Sequence, residues 1–257
     1  MSRDFPIIIP LLVGVLTIEK SNFVYSRYQG TKIEAPCIMF VIDVGGKKIV
    51  VDTGPCDSEK AAKYHGPLRR DPSMHPESAL QSIGINSDDV EFVILSHLHW
   101  DHCSNCKMFK NATFIVQETE LQYAVTPNEV QKAQYEMGFP GVIPPWVEVL
   151  PQISTVSGDV HDFQKGVHLI TLPGHTPGLM GVAVETQKQL YILASDCVPL
   201  VENWMGDNRL SHIPNGLHID LAAYENSFKK LEKLGGTVLA AHDFETLKHS
   251  VYPFASR

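Results

Sequence analysis

Six consecutive residues, His97-Leu98-His99-Trp100-Asp101-His102, carry the densest chemistry in the chain. They follow an apolar run, Phe92-Val93-Ile94-Leu95, that reads as a buried strand. In extended backbone, alternate side chains share a face, so His97, His99 and Asp101 are expected together, with the chain turning at His102. Imidazoles and a carboxylate so arranged can feed two divalent metal ions, and zinc favours this mixture of nitrogen and oxygen. Two histidines at i and i+2 would mean little. Three histidines and an aspartate at the exit of a buried strand are hard to explain as packing or as a solvated loop.

Further acids and imidazoles stand where later apolar runs end. The strand Val167-His168-Leu169-Ile170 leads into Pro173-Gly174-His175-Thr176-Pro177-Gly178. A hairpin, Gly181 to Glu185 and Gln189 to Ala194, ends in Ser195-Asp196. The run Thr237 to Ala241 delivers His242-Asp243. An earlier hairpin, Cys37 to Ile42 and Lys48 to Val51 around Gly45-Gly46, ends in Asp52-Thr53-Gly54. Each half thus has a hairpin that exits at an acid, which suggests a duplicated β-rich unit. Asp52 reads as an acceptor that organises the metal loop rather than as a ligand. Candidate ligands at strand exits are the way an α/β scaffold builds a site.

The other elements are read around these. Phe5 to Ile18 is apolar but broken by Pro6 and Pro10, too short to span a bilayer and without a cleavage signal, so it is expected to be an edge or entry strand of a cytoplasmic protein. Residues 55–75 read as loop with little helix, and Pro76 to Ile83 as a helix stopped by Gly84. Thr113 to Val116 is another short strand. Glu118 to Ala124 and Glu129 to Met137 have helical composition, and residues 118–147 as a whole are a candidate lid or pocket wall within one domain spanning 1–257. Residues 220–234 form the clearest helix, with Asp220 as N-cap, Leu221, Tyr224, Phe228, Leu231 and Leu234 at helical spacing and Gly235-Gly236 at its end.

Composition narrows the function classes. The 257 residues carry a formal charge of −8 with no basic block, which argues against nucleic acid or an anionic membrane as partner. Five cysteines do not suggest a disulfide framework, and Cys103 and Cys106 form the single C-x-x-C, so a four-cysteine zinc site is unavailable. Both are expected as reduced thiols near the metal motif.

Taken together, His97-x-His99-x-Asp101-His102, Pro173 to Gly178, Ser195-Asp196 and Ala241-His242-Asp243 resemble the motifs of the metallo-β-lactamase-fold hydrolases. Their order, with Gly216-Leu217-His218-Ile219-Asp220, looks most like the N-acyl homoserine lactone lactonases. The resemblance implies a four-layer αββα sandwich, two mixed sheets flanked by helices, with two zinc ions between them, and in families like this a homodimer. By carry-over, His97, His99 and His175 hold one ion, Asp101, His102 and His242 the other, and Asp196 bridges. It further implies a quorum-quenching lactonase in which a metal-bridging hydroxide attacks the ring carbonyl and Asp101 passes a proton to the leaving oxygen. Other divalent metals could serve.

One position departs from that group. Pro199 stands where a tyrosine commonly follows the bridging aspartate by three residues, so a helper for the substrate carbonyl is missing, supplied from elsewhere or unnecessary. Phe23, Tyr28, Phe139, Trp146, Trp204 and Met205 are candidates for an apolar pocket. Thioesterases of the fold carry a C-terminal substrate-binding segment, whereas this chain stops soon after His242. A thioesterase, another ester or cyclic-amide hydrolase, and a non-catalytic ligand-binding regulator are the alternative readings.

Overall fold

The computed structural model describes residues 5–254. Its first sheet grows from a long antiparallel pair, β1 (Ile7–Glu19) and β2 (Lys32–Val44), both rich in residues that pack on a pleated surface. Ile8 exchanges two backbone hydrogen bonds with Tyr252 on the side of β1 away from β2. Pro10, two residues on, faces the same open side, where its missing N–H costs no ladder bond. The N-terminal segment is therefore an edge strand in its first half, and only the two-residue β4 (Leu68–Arg69) flanks it later. The chain returns from β2 through Gly45-Gly46, both with positive φ, into β3 (Lys47–Val51).

From β3 the sheet becomes parallel, through β5 (Val90–Ile94), β6 (Thr113–Gln117) and β7 (Ile153–Val156). The strand order is β4-β1-β2-β3-β5-β6-β7. The second sheet comprises β8 (Val160–Gln164), β9 (Val167–Thr171), β10 (Met180–Glu185), β11 (Leu190–Leu193) and β12 (Thr237–Leu239), in the order β12-β11-β10-β9-β8. Both sheets are mixed, since β11 and β12 pair in parallel while the rest of the second sheet is antiparallel. The halves share a plan: a hairpin, a left-handed residue at its exit (Asp52, φ 59; Ser195, φ 49), then a parallel neighbour.

Three apolar layers hold this together. Between the sheets, Phe40, Ile49 and Ile94 meet Leu169, Val182 and Leu193. On the outer face of the first sheet lie α1 (Ser58–Tyr64), α2 (Pro76–Ser82), the single turn α3 (Trp100–Cys103) and α4 (Glu118–Val125), packed over residues such as Val41, Val93 and Phe114. On the second sheet, α6 (Leu221–Leu234) buries Tyr224, Phe228 and Leu231 against Ile170 and Ile192; the short α5 (Val201–Met205) precedes it. Asp220 Oδ1 accepts from the N–H groups of Ala222 and Ala223, so the sequence N-cap is realised. The result is a helix–sheet–sheet–helix sandwich.

Two local expectations change. Residues 55–75 contain α1, started by Asp57 Oδ1 accepting the Lys60 N–H at 2.8 Å. Residues 129–137, helical by composition, form successive turns instead. Glu136 there has φ 55, and Gln131, Tyr135 and Glu136 all turn inward to polar partners, which one helical face could not supply.

Candidate metal centre

Every candidate ligand leaves the C-terminal end of a strand. β5 stops at Ile94, the chain bends at Ser96, residues 97–99 run on without regular structure, and α3 begins at Trp100. His97 and His99 therefore precede the helical turn, but Asp101 already belongs to it and does not share their strand face. The turn begins at Trp100, two residues earlier than the alternation suggests. His175 follows β9 in a loop that approaches its neighbours closely: a Cβ on Gly174 would lie 2.6 Å from the Tyr224 ring, and one on Gly178 would lie 2.3 Å from the Glu120 backbone nitrogen. Asp196 lies in the turn Ser195–Cys197 after β11, and His242 follows β12, its N–H donating to the Pro199 carbonyl at 2.8 Å.

These loops bring all seven candidates together. The donor atoms of His97, His99 and His175 lie within 4.8 Å of one another, as do those of Asp101, His102 and His242 and those of His97, His102 and Asp196. Asp196 reaches both sides. Its Oδ2 is 3.3 Å from His175 Nε2, while Oδ1 is 3.2 Å from His102 Nε2 and 3.1 Å from His242 Nε2. Asp101 is the least buried of the seven, with Oδ2 3.8 Å from His102 Nε2.

The outward nitrogens of the rings fix what the inward ones can do. His99 Nε2 faces Gln131 Oε1 at 3.1 Å, His175 Nδ1 faces the Leu217 carbonyl at 2.6 Å, and His242 Nδ1 faces the Pro36 carbonyl at 3.0 Å. His102 Nδ1 faces Asp52 Oδ2 at 2.8 Å. His97 Nδ1 lies 3.0 Å from Ser96 Oγ, whose own proton goes to Asp52 Oδ2, so that oxygen accepts. In neutral rings, each outward nitrogen is then the N–H and each inward nitrogen a bare lone pair. His99 Nδ1 and His175 Nε2 are left facing each other at 3.1 Å, and buried His97 Nε2 has no hydrogen-bond partner. Converging buried lone pairs repel unless a cation lies among them, so the donor set fits metal ions.

Electrostatics separate the two groups. Burial drives His97 and His99 well below the usual imidazole range, helped by neighbouring imidazoles, and burial lowers His175 too. All three are neutral, as ligands must be. Burial opposes charge on His102 as well, but Asp101, Asp196 and Asp52 outweigh it and raise its pKa well above that range. Asp196 goes the other way: burial would raise it, and His242, then His102, hold it well below the carboxylate range.

Asp52 is the organising acceptor the sequence suggested. Besides His102, it accepts the Ser96 N–H and hydroxyl, both at 2.8 Å. A second such residue, which the sequence does not mark, is Glu120. Its buried carboxylate accepts from Leu98 N–H (3.1 Å), the Tyr135 hydroxyl (2.7 Å), the Thr176 hydroxyl (2.7 Å) and Gly178 N–H (3.2 Å). It thereby ties the His97–His99 loop to the His175 loop. Burial pushes its carboxyl up, and these donors oppose that shift. Glu120 has no local signature, because its partners at Leu98 and Thr176 lie 22 and 56 residues away.

A cleft of about 270 Å³ opens onto the centre, with His99, Asp101, His175 and Asp196 at its floor. Of the expected apolar lining, Phe23 is there, stacked on His242 at 4.9 Å. Ala133 and Gln134 also line it. Trp204 instead stacks on His212, Trp146 is buried in the outer core, Phe139 packs behind Tyr64, and Tyr28 and Met205 are exposed. Pro199 is buried behind His242. All five cysteines are free thiols, Cys103 and Cys106 buried beside the metal loop with their pKa values raised by burial. Among the described residues, no helix is long and apolar enough to cross a membrane.

Known proteins agree with this architecture. The model of the metallo-beta-lactamase superfamily matches residues 34–242. The N-acyl homoserine lactonase AiiA of Bacillus thuringiensis subsp. kurstaki is 27% identical over 191 residues, 70% of each chain. The N-acyl homoserine lactonase AttM of Azorhizobium caulinodans is 26% identical over 252 residues, 90% of each chain. Among solved structures, a B. thuringiensis AiiA mutant with N-decanoyl-L-homoserine bound at the active site superposes with a TM-score of 0.77 at 23% identity, covering 96% of both chains. AidC, a dizinc quorum-quenching lactonase in complex with its product, superposes with a TM-score of 0.68 at 17% identity over 98% of this chain and 92% of that one.

Proposed function

Because the chain belongs to the metallo-beta-lactamase superfamily, we propose that it is a dinuclear zinc hydrolase that opens the ring of an N-acyl homoserine lactone or a related lactone. The observation that carries this reading is the convergence of bare imidazole lone pairs on one buried carboxylate, Asp196. In this reading His97, His99 and His175 hold one ion, Asp101, His102 and His242 hold the other, and Asp196 is shared. Bound zinc supplies Lewis acidity for a carbonyl oxygen and lowers the pKa of water from about 16 to about 7.

The chain's own residues do the rest. Asp101, least buried and facing the cleft, carries a proton to the oxygen that leaves the opened ring. Asp52 and Glu120 keep the ligand loops in register, so no ligand has to move as charge develops. Phe23, Leu16 and Ile18 give the cleft an apolar wall for an acyl arm and exclude water there. In this reading residues 118–147 contribute a further wall of the cleft through Ala133 and Gln134. The chain's charge of −8 suits a small substrate better than nucleic acid.

The experiment is hydrolysis of a small panel, followed by proton release at neutral pH. Short and long acyl-homoserine lactones, a simple γ-lactone, a thioester and a β-lactam make up the panel. The lactones are expected to open at least about tenfold faster, by kcat/KM, than the thioester and the β-lactam, a margin of ~1.4 kcal/mol in transition-state binding. Turnover of the thioester alone would move the protein to the thioesterases of the fold. Tight lactone binding without turnover would make it a regulator.

A further inference from the structure

One polar cluster lies outside the centre yet reaches its cleft. Glu136, buried and in the left-handed conformation (φ 55), places Oε1 3.0 Å from His65 Nε2 and Oε2 2.6 Å from Lys60 Nζ. His65 lies flat on Trp100, ring centroids 4.1 Å apart and planes 3° apart, and both rings line the cleft beside Asp101. Cys56 lies close enough that its thiol, His65 and Glu136 could be taken for a third metal site. The charges argue otherwise. The Lys60 ammonium already balances Glu136, and burial, then Glu136, pushes the Cys56 thiol up to about 12, so a cation there would have to displace both the Lys60 pair and the thiol proton.

A carboxylate can only accept, so Glu136 fixes the His65 proton on Nε2 and leaves Nδ1 as the acceptor of the neutral ring. Among the described residues Nδ1 has no hydrogen-bond partner, although the side chain is only 2% exposed. A buried pair that spends a left-handed glutamate and a lysine to orient one ring, and then leaves that ring's acceptor free in a cleft wall, looks built for a ligand.

We propose that His65 is a specificity-determining residue that contacts substrate, accepting the N–H of an acyl-amide arm beside the scissile carbonyl, with Glu136 as its positioning residue. This rests on the lactone-opening reading. Substrates with an amide N–H in the arm are favoured over isosteric arms that lack one, because only the former pair with Nδ1.

The test compares an N-acyl amino-lactone with a γ-lactone bearing an alkyl arm of equal length, on zinc-loaded wild type, His65→Phe and Glu136→Gln, with metal content and Tm measured on each sample. His65→Phe keeps a flat ring on Trp100. It is expected to raise KM for the amide lactone about tenfold, one hydrogen bond's worth, with kcat, metal content and the alkyl lactone's KM unchanged. Glu136→Gln, which keeps the shape but no longer fixes the tautomer, should shift KM in the same direction by a smaller factor. Equal losses on both lactones, or an unchanged ratio with a lowered Tm, would make the cluster a strut and overturn the proposal. A wild type that opens neither lactone overturns the lactone reading and this proposal with it; one that opens both isolates the test to His65.

Discussion

Asp196→Asn is expected to lose metal and activity together. The substitution keeps the shape of a buried side chain but removes the one charge that lies within 3.3 Å of His102, His175 and His242 at once. Asn offers one neutral oxygen in place of two charged ones, so it cannot be shared between two cations, and its amide protons would face imidazole lone pairs on one side and a cation on the other. Retained metal should fall from about two ions per chain to about one or fewer, and kcat/KM by at least about a thousand-fold, roughly 4 kcal/mol of barrier. Elemental analysis and turnover on the same sample, with circular dichroism to show that the fold persists, make the measurement. Near-wild-type turnover with two ions retained would sink the shared-carboxylate model.

The second large effect is expected at a residue that is not itself a candidate ligand, in Glu120→Gln. Each Glu120 oxygen accepts one backbone N–H and one hydroxyl: Leu98 and Tyr135 on Oε1, Gly178 and Thr176 on Oε2. A glutamine must turn its NH₂ towards one of these pairs. The hydroxyl can rotate to accept, but the backbone N–H cannot, and a buried donor is left against another donor. The cost is about 3 kcal/mol, read as a Tm lowered by roughly 6–12 °C in a chain of this size. Because the same bonds hold the loops of His97, His99 and His175, kcat should fall by about 10–100-fold even well below the melting transition, as small misplacements of reacting groups do. An unchanged Tm would mean that the carboxylate carries no net load. A lowered Tm with unchanged kcat would mean that the ligand loops are held by other contacts.

These two residues mark where the sequence was and was not legible. The 97–102 cluster is dense because one loop and the turn that follows it carry four candidate ligands, and the later candidates stand at recognisable strand exits. Asp52 was legible as an organiser for the same reason. The exact start of the turn at Trp100 was not, because alternation along a strand does not say where the strand ends. Glu120 lies in the first turn of α4 beside exposed Glu118, where acids suit the helix dipole, and nothing local tells a solvated acid from a buried one. The inward turns of residues 129–137 were hidden likewise: helix-forming composition yields when Gln131, Tyr135 and Glu136 each find a buried polar partner. The pocket aromatics failed for a different reason. An aromatic ring is as useful in a core as in a cleft, so Trp146 and Trp204 satisfy the same composition from elsewhere in the fold.

Two ions held by these seven residues would make lactone opening strictly dependent on zinc. Chelated protein titrated with zinc, with acyl-homoserine lactone turnover read after each addition, tests it most directly. Turnover is expected to be absent at zero zinc and to rise until it levels off at about two equivalents per chain. Full turnover at one equivalent, or turnover that survives chelation, would contradict it.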